Sequence, residues 1–285
     1  MRTLLCGVLL SALLAGCQTQ VEVKDRGSVH TKAGQIIKDS TGELISREQL
    51  VQELSQAPIV LLGEKHDNLE HHELQLWLVQ AMEQRRKQGA LVFEMLTTEQ
   101  QALIEQVKQR IEQKQPPKDL ATALDWSPGW DWAQYKALVE HAFTSDVQVV
   151  AGNLSRSELM SIYRNPVRIE QGMAGAAQVR EQLHQHIFEA HCQKLPESQV
   201  PAMLAVQQQR DRHMAQMLLQ SEKPTVLVAG AYHARKDLGV PLHLMDLQGA
   251  DSQVLLFVEQ GQPYEKGIAD YVWITTAAPE KDYCA

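Results

Sequence analysis

The residues of this chain best suited to chemistry recur just after short apolar runs. Glu64 and His66 follow Ile59-Val-Leu-Leu-Gly63, Glu94 follows Ala90-Leu-Val-Phe93, Asn153 follows Val149-Val-Ala-Gly152, and His233 comes shortly after Thr225-Val-Leu-Val-Ala-Gly230. Side chains two apart in an extended segment point to the same face, so Glu64 and His66 converge on one small volume. Two carboxylates and two imidazoles brought together have two chemical uses. They could bind a transition metal, or they could perform general acid/base work. Any one of them alone reads more simply as a helix cap or a loop hydrogen-bond partner. Their recurrence at successive run ends is what points to a site.

For these groups to meet, the runs must be parallel strands of one sheet. They are short, continuously apolar and separated by helical patterns, as buried parallel strands are. Ligands of open α/β sheets bind beyond the carboxyl ends of such strands. The expected fold class is therefore α/β: a mostly parallel sheet flanked by helices, with a smaller helical subdomain over about 155–222, where no convincing strand is found. Residues 35–38 and 43–45 flank a Ser40-Thr41-Gly42 turn and predict a small hairpin. Ser46-Arg-Glu-Gln49 is a capping-box pattern opening a helix over 47–55. Further helices are expected over 69–87, 100–114, from the Trp126/Trp130/Trp132/Tyr135 cluster to 143, and over 158–163, 176–194 and 198–220. Later strands are expected over 243–247, 253–258 and 271–275.

Other polar residues are open to two readings. His71 lies on the apolar stripe of its helix with Leu74, Leu78 and Met82, as a satisfied core histidine would; His72 lies at the edge of that stripe and is expected near solvent. Arg210 falls on the stripe of Met203, Val206, Met214 and Met217. A guanidinium there needs Asp211 or a sheet-end carboxylate as partner, or else reaches a ligand carboxylate. Tyr135, Tyr163 and Tyr232 each stand beside a candidate site segment.

The chain starts with a short charged end and an apolar stretch over 4–14, too short to span a bilayer comfortably. Leu14-Ala15-Gly16-Cys17 follows, the pattern of a bacterial lipoprotein signal. Residues 1–16 are thus expected to be removed and Cys17 acylated (with palmitate or a similar chain), giving a membrane anchor. Gln18, rather than an aspartate, after the cysteine suggests the outer membrane. Residues 17–34 would be a tether and 35–285 the folded domain. Of the remaining cysteines, Cys192 and Cys284 either pair in an oxidising compartment or stay free. The formal net charge of −8 lacks the basic footprint that nucleic-acid binding needs.

Several ordered motifs, Gly63-Glu-Lys-His66-Asp-Asn68 with His71-His72, Phe93-Glu94-Met95, Gln207-x-x-Arg210-Asp211 and Ala229-Gly-Ala-Tyr-His233-Ala-Arg235-Lys-Asp-Leu-Gly239-Val-Pro241, resemble those of the ChaN family, iron-regulated haem-binding bacterial lipoproteins. The resemblance runs from about Gln35 to the C-terminus. It implies non-covalent haem at a homodimer interface with a tyrosine on iron, a role in haem uptake, and a haem-uptake receptor as a further partner. Tyr163 is the first candidate for that tyrosine and Tyr232 the second, with Arg210 a candidate for the haem carboxylates. The wider Tiki, TraB and erythromycin-esterase-like superfamily implies the alternative, a metal-dependent hydrolase using Glu64, His66, Glu94 and His233, with a divalent metal on His66, Glu94 and His233 and a glutamate as base.

Overall fold

The computed structural model describes residues 32–279 with Lys281, Asp282 and Cys284. The signal segment 1–16, Cys17 and nearly all of the tether lie outside the described residues. Among those described, eight strands form one sheet: β1 (Ile36–Lys38), β2 (Glu43–Ile45), β3 (Ile59–Glu64), β4 (Ala90–Thr97), β5 (Gln148–Asn153), β6 (Thr225–Gly230), β7 (Gln253–Glu259) and β8 (Tyr271–Thr275), in the order β2-β1-β8-β7-β3-β6-β4-β5. The strands from β8 to β5 are parallel; β1 pairs antiparallel with β8 and with β2. β6 lies between β3 and β4, with Gly230 in register with Glu64 and Val228 with Phe93. That insertion brings His233, far away in sequence, between the ends that carry Glu64 and Glu94.

The helices are α1 (Arg47–Leu54), α2 (Leu69–Glu83), α3 (Gln101–Glu112), α4 (Leu120–Ala123), α5 (Trp132–Thr144), α6 (Arg156–Arg164), α7 (Ala177–Ala190), α8 (Val200–Gln220), α9 (Ala231–Ala234) and α10 (Val240–Gln248). Successive strand residues face opposite sides of the sheet. Val60, Leu62, Leu91 and Phe93 therefore pack with Leu50, Leu78, Ile104 and Leu138 of α1, α2, α3 and α5. Leu61, Val92, Leu227 and Val254 pack instead with Met214, Ala215 and Leu218 of α8 and with Val240 and Leu244 of α10. The first half of α8 leaves the sheet: its Val200 and Leu204 share a small core with Leu183 and Ile187 of α7 and with Leu238. Cys192, just past α7, forms a disulfide with Cys284. No helix among the described residues is long and apolar enough to cross a membrane.

One element differs in kind from expectation. Residues 243–247 are not a strand but part of α10. Pro241 sits in the first turn, where its missing N–H costs nothing, and the buried Val240 and Leu244 lie one turn apart. Gly249, at φ 61°, ends the helix in the left-handed conformation that glycine adopts freely.

Candidate functional site

The carboxyl edge of the sheet carries a charge network in two parts. In the first, Glu64 closes β3 and the following turn returns His66 to it, with Nδ1 2.6 Å from Glu64 Oε1. Tyr135 of α5 donates its hydroxyl to the same oxygen at 3.1 Å. Glu64 is only 1% exposed, and its Oε2 has no hydrogen-bond partner among the described residues. The His66 side chain, by contrast, keeps 44% of its surface. The Trp130 ring meets its edge at 4.8 Å, and Gly230 flanks it so closely that a Cβ there would come within 2.8 Å of its Nε2. Burial alone would lower the His66 pKa, but the Glu64 carboxylate outweighs it and the net shift is upward.

The second part is a closed set of ion pairs. Glu94 Oε1 accepts from Arg210 Nη2 at 2.6 Å and lies 3.2 Å from His233 Nε2; its Oε2 accepts the Gly230 N–H at 2.7 Å. His233 Nδ1 faces Asp211 Oδ1. Arg210 Nε donates to Asn153 Oδ1 at 3.1 Å, and Asn153 Nδ2 donates to the Glu94 carbonyl at 3.1 Å. Burial would raise the Glu94 pKa, yet His233 and Arg210 hold it well below the usual carboxylate range. Burial would likewise lower that of His233, but Glu94 and Asp211 push it up to about 9, so the ring is an imidazolium donating from both nitrogens.

This geometry corrects the metal expectation. Both nitrogens of His233 face carboxylates and carry protons, so its ring has no lone pair for a metal, and both oxygens of Glu94 are already engaged by N–H donors. Among the described residues no group of three His, Cys, Asp or Glu could hold one. Arg210 takes the sheet-end carboxylate of the two roles open to it. His66 with Glu64 remains a proton-holding dyad with one edge at the surface.

Asp211 was visible in sequence only as a neighbour of Arg210, although it is fully buried and, with Glu94, keeps His233 charged. His71 is the core histidine expected: Nδ1 accepts the Lys65 N–H at 2.9 Å, which leaves Nε2–H for Thr275 Oγ1 at 2.8 Å, and burial lowers its pKa to about 3. His72 is not near solvent. It is buried, with its ring centroid 4.3 Å from that of Tyr135, because α5 packs against that side of α2. The two tyrosine candidates lie outside the network. Tyr232 stacks on His186 with centroids 3.3 Å apart and has the Arg235 guanidinium 5.7 Å from its ring. Tyr163 lies in the last turn of α6.

Gly230→Ala tests the dyad. The backbone there accepts alanine, but the new methyl would push the His66 ring away from Glu64. The variant should fold, and the His66 pKa, followed by NMR, should fall; an unchanged titration would mean that the ring is not held as described.

The fold and site define an α/β protein with one mostly parallel sheet, a charged cluster at its carboxyl edge and helices standing partly off the sheet. A sequence profile described as haem-binding uptake, Tiki superfamily, ChaN matches residues 50–244, more than half of the chain, and the protein belongs to that family. The solved structure of cofacial haem binding to ChaN of Campylobacter jejuni is 30% identical, covers 84% of this chain and 95% of its own, and superposes with a TM-score of 0.75. A mutant of the erythromycin esterase EreC in its open conformation is 14% identical over 83% of this chain and 80% of its own, with a TM-score of 0.41. A Bacillus cereus protein is 12% identical over 74% and 68%, with a TM-score of 0.45. A search of curated proteins finds no match.

Proposed function

We propose that this protein binds haem non-covalently on the outer face of α6 and assists haem uptake, with the Tyr163 hydroxyl on the iron. The observation that carries the reading is that α6, which packs on α8, leaves Met160 39% exposed and Leu159, Ile162 and Tyr163 only half-buried. A helix stripe of this kind is stable when something covers it. Met160, Tyr163 and Arg164 are three and four apart and share one surface. Val167, 69% exposed, and Met173, 50% exposed, extend the apolar surface through the loop beyond. A porphyrin is a flat apolar disc with two carboxylates. Its faces suit this surface, and its carboxylates suit Arg164 and Arg168. Bound ferric haem supplies a Lewis-acidic iron that a phenolate can ligate.

The tyrosines differ in what they have free. Tyr135 is buried with its hydroxyl on Glu64, and Tyr271 is buried with its hydroxyl on Glu53. Tyr232 is 45% exposed, but His186 and Arg235 flank its ring. Tyr163 makes no hydrogen bond or ring contact with the described residues; Tyr264 makes none either, but it is packed against the core under α8 and α10 and not on an outer helix face. Arg210, fixed on Glu94 and Asn153, is not available to a haem carboxylate. Membership of a haem-binding uptake family and the likeness to the haem-bound Campylobacter jejuni protein support the same reading. On this account a second copy covers the far side of the haem, and the protein works at the outer membrane, anchored by acyl chains on Cys17 and passing haem to an uptake receptor.

Haemin added to the full chain in detergent should give a saturable Soret change together with a doubling of the sedimenting mass. Val167→Glu, a charge in the middle of the surface, should weaken haemin binding at least ten-fold. No saturation, or a variant that titrates like the parent, would exclude this face.

A further inference from the structure

Between α6 and α7 the chain runs through a loop, residues 165–176, with little core of its own. From 166 to 175 only Ala174 and Gly175 are buried, while Val167 and Met173 stand exposed on the surface proposed above for haem. A segment with so few apolar contacts opens locally at small cost unless polar contacts hold it.

Two side chains hold the middle of this loop. Gln208 of α8 is 0% exposed, and its amide pairs with Ile169 as a neighbouring strand would: Oε1 accepts the Ile169 N–H at 2.9 Å and Nε2 donates to the Ile169 carbonyl at 2.9 Å. The same Nε2 donates to the Ala174 carbonyl at 3.3 Å. A buried amide is costly without partners, and all the partners of this one are loop backbone. Asp246 of α10 holds the second half. Its Oδ1 accepts the Met173 N–H at 2.7 Å and its Oδ2 the Ala174 N–H at 2.9 Å. Gly172 makes room for that carboxylate: it takes φ of 75°, and a Cβ there would lie 2.5 Å from Asp246 Oδ2. Gln209 Nε2 donates to the Val167 carbonyl at 3.0 Å, and Arg180 donates to the Gly175 carbonyl, so the ends of the stretch are tied separately.

On the haem reading of α6, we propose that Gln208 and Asp246 are positioning residues that set Val167 and Met173 in the shape that receives the porphyrin. They act through the loop and not on the haem itself. A loop already in its binding shape strengthens binding; one that visits that shape only part of the time weakens the apparent affinity by the same fraction.

The test compares the full chain with its Asp246→Ala, Gln208→Met and double variants, first by hydrogen exchange without haem and then by haemin titration. Asp246→Ala should speed exchange of the Met173 and Ala174 amides, and Gln208→Met that of Ile169, while β3 and β6 stay protected. Haemin should bind the double variant about ten-fold more weakly, as it would if the freed loop kept the binding shape about a tenth of the time, with the single variants between. The phenolate-to-iron charge-transfer band at saturation should be unchanged, which separates lost positioning from lost ligation. Gly172→Ala breaks the Asp246 contact from the exposed loop and stands in for a variant that does not fold. Faster loop exchange with the parent's haemin affinity would overturn the proposal, and so would loop amides that exchange no faster than the parent's. Those results leave the haem reading standing, whereas a parent chain with no saturable Soret change would end both.

Discussion

Replacing Arg210 with alanine is expected to destabilise the fold by about 3–5 kcal/mol, the usual cost of leaving one partner of a buried ion pair behind. Glu94 is 1% exposed and cannot reach water, so the loss removes its 2.6 Å partner and gives nothing in return. His233 would remain, but Asp211 shares its charge. Asn153 Oδ1 would lose its donor as well. Arg210→Lys should recover part of the loss, since an ammonium replaces the charge but not the fork that reaches both Glu94 and Asn153. Urea unfolding of the three proteins checks this; a loss below about 1 kcal/mol for the alanine variant would mean that the cluster is wetter than its burial indicates.

The second large effect is on pH. Burial lowers the His71 pKa to about 3, below its unfolded value of about 6.5. The unfolded chain then binds the proton more readily, and the stability that neutral His71 supports is lost as pH falls below about 6.5. His233 is the reverse case. Its pKa of about 9 lies above the unfolded value, so its contribution is complete below about 6.5 and is lost as pH rises toward 9. The histidine-linked stability should therefore be greatest near pH 6.5, with each limb falling by on the order of a few kcal/mol. His71→Gln keeps an acceptor and a donor in that position but does not titrate. Between pH 6.5 and 4.5, above the range of ordinary carboxylates, its unfolding midpoint should decline less steeply than the parent's, the remaining slope coming from His186, His213 and His243, whose pKa values burial also lowers. Equal slopes would refute the assignment.

Much of the site could be read from sequence because buried parallel strands leave a strong mark. Continuous apolar runs ending in Glu64, Glu94, Asn153 and a nearby His233 placed the network at one sheet edge before any coordinates. What sequence could not supply was the docking of helices on that edge. Asp211 beside Arg210 reads as one of two partners for that guanidinium until α8 is packed against β5 and β6, and only then is it seen buried on His233. Tyr135 reads as one more aromatic of a Trp-rich segment; its hydroxyl reaches Glu64 only because α5 lies against α2. His72 was misplaced for the same reason, since a stripe shows which side of a helix is apolar but not what covers the other. The run at 243–247 was too short for periodicity to separate strand from helix, and Pro241 was the better signal. The emptied ligand set of Glu94 and His233 follows from pairing, which residue types alone do not reveal.

We propose that α6 presents the haem-binding tyrosine. Side-by-side haemin titrations of the full chain and its Tyr163→Phe and Tyr232→Phe variants test it most directly. Removal of the Tyr163 hydroxyl should weaken binding at least ten-fold and abolish the phenolate-to-iron charge-transfer band, while Tyr232→Phe titrates like the parent protein. A Tyr163→Phe variant that keeps both the affinity and the band would contradict the account.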